Sequence, residues 1–76
     1  MMNTRSILTS IRPEFDFTRS EDFIAEGMLD SFDVVTLVSA LDKSYGISIE
    51  GIDILPENFK SLAAIEALLR KYGAQP

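Results

Sequence analysis

Ser31 stands in the stretch Leu29-Asp30-Ser31-Phe32-Asp33, and its hydroxyl is the group in this sequence best placed to carry chemistry. Asp30 is a good N-cap, and Asp33 three residues on resembles a capping box with a shorter acid. Ser31 therefore falls in the first turn of a helix, with its side chain expected at the surface. A helix start offers unpaired N–H groups and the positive end of a dipole, so a phosphate ester on Ser31 would sit where negative charge is favoured. By position alone, a serine at a helix start ordinarily serves only as a cap.

Catalysis by Ser31 would need a base within hydrogen-bond reach and an oxyanion hole. The chain of 76 residues has no histidine and no cysteine, which removes the usual base, thiol nucleophiles, disulfides and the commonest transition-metal ligands. Lys43, Lys60 and Lys71 are formal alternatives, but no Ser-x-x-Lys spacing and no Gly-x-Ser-x-Gly elbow surrounds Ser31. No enzyme activity is expected. A calcium site at Asp30 and Asp33 lacks EF-hand spacing, and no metal is expected.

The element that must position Ser31 is the clearest in the chain. Val34, Leu37, Val38, Leu41 and Tyr45 recur at helical spacing, and Gly46 can take the left-handed position that ends a helix, so a second helix is predicted over residues 30 to 45. Before it, Ile7, Leu8 and Ile11 mark a short helix near residues 3 to 12, closed by Pro13. Glu14 to Gly27 reads as a long loop pinned by Phe15, Phe17, Phe23 and Ile24, with Ser20-Glu21-Asp22 able to cap a single turn. Ile47-Ser48-Ile49 alternates like a strand but has no partner, and is read as an extended connector with two isoleucines in the core. Pro56-Glu57-Asn58-Phe59 begins a short third helix. Ser61 caps a last one striped by Leu62, Ile65, Leu68, Leu69 and Tyr72, and Gly73 to Pro76 is read as a frayed tail. Three main helices and a short one make an all-α bundle, in one domain spanning residues 1–76.

Phe32, Thr36, Ser39 and Lys43 follow a 4, 3, 4 spacing that sets them on one face of the second helix, beside Ser31 and away from the core stripe. Phe32 is the apolar contact expected there, with Met28, Ile52 and Ile54 as neighbours. For Met28 and the isoleucines, packing inward is the competing expectation.

Seven basic residues against twelve acidic ones give a net charge of −5, which disfavours nucleic acid and favours partners with basic docking surfaces. The longest apolar runs fall short of the roughly 20 residues a membrane span needs, so no membrane insertion is expected. The first residues lack the pattern of a secretory signal, from which a cytoplasmic location is expected.

Gly27-Met28-Leu29-Asp30-Ser31-Phe32-Asp33 resembles the phosphopantetheine attachment motif of the acyl carrier protein family, in which Asp-Ser-Leu, here Asp-Ser-Phe, marks the modified serine. The likeness continues through Val34 to Leu41 and Tyr45-Gly46-Ile47-Ser48-Ile49 to Leu55-Pro56-Glu57-Asn58-Phe59-Lys60-Ser61, so it covers nearly the whole chain. Free-standing acyl and aminoacyl carriers, D-alanyl carriers among them, are the most similar in kind. The resemblance implies an acyl-carrier-protein-like four-helix bundle, monomeric, with a 4′-phosphopantetheine arm derived from coenzyme A attached at Ser31. It further implies loading by a phosphopantetheinyl transferase, with Asp30 aiding that enzyme, then charging by an acyl- or aminoacyl-loading ligase and delivery to an acyltransferase or synthase. The reactive sulfur would belong to the arm, in keeping with a chain that has no cysteine. Phe32, Thr36, Ser39, Lys43 and Met28 would meet partners. Thr36 and Lys43 depart from the acidic pattern of fatty-acid carriers, which argues against a fatty-acid synthase partner, and the Leu29-Asp30-Ser31-Phe32 form and free-standing length by resemblance favour a specialised pathway. The competing reading is a non-covalent acidic helical interaction module in which Ser31 is only a cap. The third-helix region, flanked by Gly51 and Pro56, is expected to be the least stable part and to open for cargo.

Overall fold

The computed structural model describes residues 3–18 and 21–76. Four α-helices form, α1 (Thr4–Ile11), α2 (Ser31–Tyr45), α3 (Pro56–Phe59) and α4 (Leu62–Lys71), with a 3₁₀ turn at Gly51–Asp53 and no strand among the described residues. The all-α expectation holds, as a small helical bundle. Asn3 caps α1 by accepting the Ser6 N–H at 2.8 Å, and the helix stops as Arg12 makes its last bond to the Leu8 carbonyl ahead of Pro13. α1 packs on α2 and α4, and α3 packs on α4.

The core stripe of α2 is as its spacing predicts: Leu37 and Leu41 are fully buried, and Val34 and Val38 nearly so. Gly46 takes φ 65°, where a residue with a Cβ is strained, and its N–H and that of Ile47 both return to the Asp42 carbonyl. The Asp42 side chain then accepts the Ile49 N–H at 2.9 Å, turning the connector so that Ile49 enters the core while Ile47 lies half-buried against it.

The loop before α2 is packed by its aromatic residues. Phe17 and Phe23 are buried and meet edge to face with centroids 4.9 Å apart, and Phe15 and Ile24 lie partly buried around them. Asp22 accepts the Ala25 N–H, which supplies the expected cap of a local turn; Arg19 and Ser20 lie outside the described residues. The Phe23 N–H donates to the Lys60 carbonyl, tying the loop to the end of α3.

Pro56 starts α3 and Phe59 buries its end completely. Ser61 caps α4 through the Ala64 N–H, and Ile65, Leu68 and Leu69 face the core. The segment after α4 differs from a frayed tail. Gly73 turns at φ 81°, the Ala74 N–H returns to the Leu69 carbonyl at 3.0 Å, and Ala74 packs against the core. This closing turn satisfies carbonyls that the helix end would otherwise leave open. No helix among the described residues is long and apolar enough to cross a membrane.

Candidate functional site

Ser31 is the first residue of α2 and is exposed. The capping box is complete in both directions: the Asp33 N–H donates to Asp30 Oδ1 at 2.8 Å, and the Asp30 N–H donates to Asp33 Oδ2 at 3.2 Å. This reciprocal pair sets where α2 begins, and so where the Ser31 hydroxyl emerges.

Arg12, at the end of α1, adds a second layer that no local pattern announces. Its Nε donates to Asp33 Oδ2 at 2.9 Å, one terminal nitrogen reaches Glu14 at 3.2 Å, and the other lies 3.6 Å from Asp30 Oδ2. The guanidinium thus binds the α1 end to the α2 start. The Asp30 carboxyl is held below its ordinary range, chiefly by the Asp33 N–H, with the Arg12 charge acting in the same sense. Arg12 is pushed above its ordinary value, first by its bond to Asp33 and then by that to Glu14.

Beside Ser31 lies a cavity of about 270 Å³. Its apolar lining comes from Ile24 of the loop, Val34 and Val35 of α2, and Ile54 and Leu55 before α3, while Asp30 and Ser31 supply polar wall. A hydroxyl next to an apolar recess can anchor a group that is charged where it attaches and apolar beyond.

The face read along α2 is exposed as expected: Phe32 is 79% accessible, and Thr36, Ser39 and Lys43 are exposed with it. The Thr36 hydroxyl donates back to the Phe32 carbonyl at 3.2 Å. Val35, at 65%, joins this surface and lines the cavity; lying next to the core stripe, it gave no signal of its own. Met28 requires a correction. It is buried in the core and does not stand beside Phe32 at the surface, because Gly27 at φ 74° turns the chain and the Met28 and Leu29 N–H groups both donate to the Phe23 carbonyl. Of the two isoleucines, Ile52 is exposed, at 76%, while Ile54 is half-buried against the core.

A second polar cluster gathers on Asp53, the residue before the cavity-lining Ile54. Asp53 receives the Tyr72 hydroxyl on Oδ2 and Lys71 Nζ on Oδ1 at 2.8 Å, and the Tyr72 oxygen accepts the Glu50 N–H at 3.0 Å. Asp53 is held below its ordinary range, first by Lys71 and then by Tyr72, and both of these are raised by Asp53 in turn. Among the described residues, no group of three or more acidic, cysteine or histidine side chains is gathered as metal ligands would be.

Comparison with protein-family models, curated proteins and solved structures gives no significant match to this chain.

Proposed function

We propose that this chain is a carrier protein whose Ser31 hydroxyl is the attachment point for a 4′-phosphopantetheine arm bearing an acyl or aminoacyl group. The observation that supports it most is the exposed hydroxyl at the first residue of α2, beside an apolar cavity and within the motif that resembles the carrier family. The residues fit such a group. The positive dipole end of α2 favours the phosphate of an ester on Ser31, and Val34, Val35, Ile54 and Leu55 offer an apolar surface next to it. When attached, the arm supplies a thiol on which cargo is held as a thioester. The chain's own part is to present Ser31, keep α2 in register through Asp30, Asp33 and Arg12, and display Phe32, Thr36, Ser39 and Lys43 to partners. Those partners are a phosphopantetheinyl transferase, a loading ligase and a downstream acyltransferase or synthase, with basic docking surfaces suited to the net charge of −5.

One observation favours a second reading. Phe32 and Ile52 are more than three-quarters exposed, as the contacts of a non-covalent interaction module would be. Incubation with coenzyme A and a broad-specificity transferase, followed by intact mass measurement, separates the two. The carrier gains the mass of one arm, and Ser31→Ala gains none.

A further inference from the structure

The 3₁₀ turn that carries Ile54 and Leu55 towards the cavity is not held by burial of its own residues: Gly51 and Ile52 are exposed and Asp53 is half-buried. The deep anchors on either side are Ile49 and Phe59. Between them, Ile54 packs partly against the core and polar bonds fix the turn that precedes it. The Tyr72 hydroxyl is used twice, donating to Asp53 and accepting from Glu50 N–H, and Lys71 pairs with the other Asp53 oxygen. The Asn58 amide donates to the Asp53 carbonyl at 2.7 Å, which joins the turn to α3. One aspartate therefore ties the cavity wall to the end of α4.

The geometry points to a polar latch, in which Tyr72 and Lys71 hold Asp53 and keep residues 50–56 closed as one wall of the cavity beside Ser31, so that its release admits an apolar group larger than the resting cavity. Closed, the wall brings Ile54 and Leu55 into the lining with Val34 and Val35. Released, the segment keeps its Ile49 and Phe59 anchors and swings between them. The gating of a group carried on Ser31 rests on the carrier reading; the closure of the wall does not.

The test is amide hydrogen exchange on the whole chain for wild type, Tyr72→Phe and Asp53→Asn, with binding of the neutral apolar dye N-phenyl-1-naphthylamine measured alongside. Tyr72→Phe keeps the ring and removes both bonds of the hydroxyl. Exchange across 51–55 is expected to rise about tenfold or more in both variants while amides 37–41 of α2 change by less than about twofold, and dye binding is expected to strengthen. Unchanged exchange at 51–55 in both variants, a rise shared equally by α2, or unaltered dye binding would each overturn the latch. Failure of wild type to gain an arm from coenzyme A would instead sink the carrier reading and leave the exchange results standing.

Discussion

Arg12 Nε lies 2.9 Å from Asp33 Oδ2, across 21 residues of chain, and through this pair the end of α1 holds the start of α2 in place. Asp33 is also half of the capping box, so one carboxylate serves both the local cap and the long-range tie. The position of Ser31 depends on both.

Arg12→Ala should therefore lower thermal stability by less than a core truncation and loosen the first turn of α2. Arg12→Lys should recover only part of the loss, because an ammonium cannot match the forked contact to Asp33 and Glu14. Thermal melts, with exchange at residues 31–34, read both effects.

The response to acid and alkali has a defined sign. The Asp30 and Asp53 carboxyls are lowered in the folded chain, so their contribution is complete above the unfolded value of about 3.9 and is lost as pH falls through the folded values. Tyr72 and Lys71 are raised, so theirs is complete below the unfolded values of about 10 and is lost as pH rises through the folded ones. Urea midpoints should fall at both extremes. Asp53→Asn should flatten the acid limb in part, and Tyr72→Phe the alkaline limb.

Core and surface apolar residues should separate cleanly. Leu37→Ala, at a fully buried site, is expected to cost about 2–5 kcal/mol. Phe32→Ala, at an exposed site, is expected to stay within about 0.5 kcal/mol of wild type in denaturant unfolding. If Phe32 is a partner contact, the same variant should raise the KM of a transferase for this chain with little change in kcat.

Gly46→Ala probes backbone conformation alone. A Cβ there meets open space, so its effect comes from holding alanine at φ 65°, a cost of about 1–2 kcal/mol seen in urea unfolding.

Features written in short-range spacing are legible in the residues themselves: the Asp30 and Asp33 box, the Gly46 stop, the stripes of α2 and α4, and the Pro56 start of α3. Each depends on residues within one or two turns, where chain geometry leaves few choices. Arg12 on Asp33 and Tyr72 on Asp53 are not legible in that way, since they join residues 21 and 19 apart and leave no periodic trace. Val35 and Met28 fall between these cases. An exposed valine beside a core stripe and a buried methionine in a loop are set by how neighbouring elements pack, and the Phe23 carbonyl that draws Met28 inward has no counterpart in residue pattern.

Intact mass after incubation with coenzyme A and a broad-specificity phosphopantetheinyl transferase bears most directly on Ser31. A single-arm mass gain in wild type, abolished in Ser31→Ala while that variant keeps its helical content, is the predicted result. No gain in wild type, or an equal gain in Ser31→Ala, would contradict it.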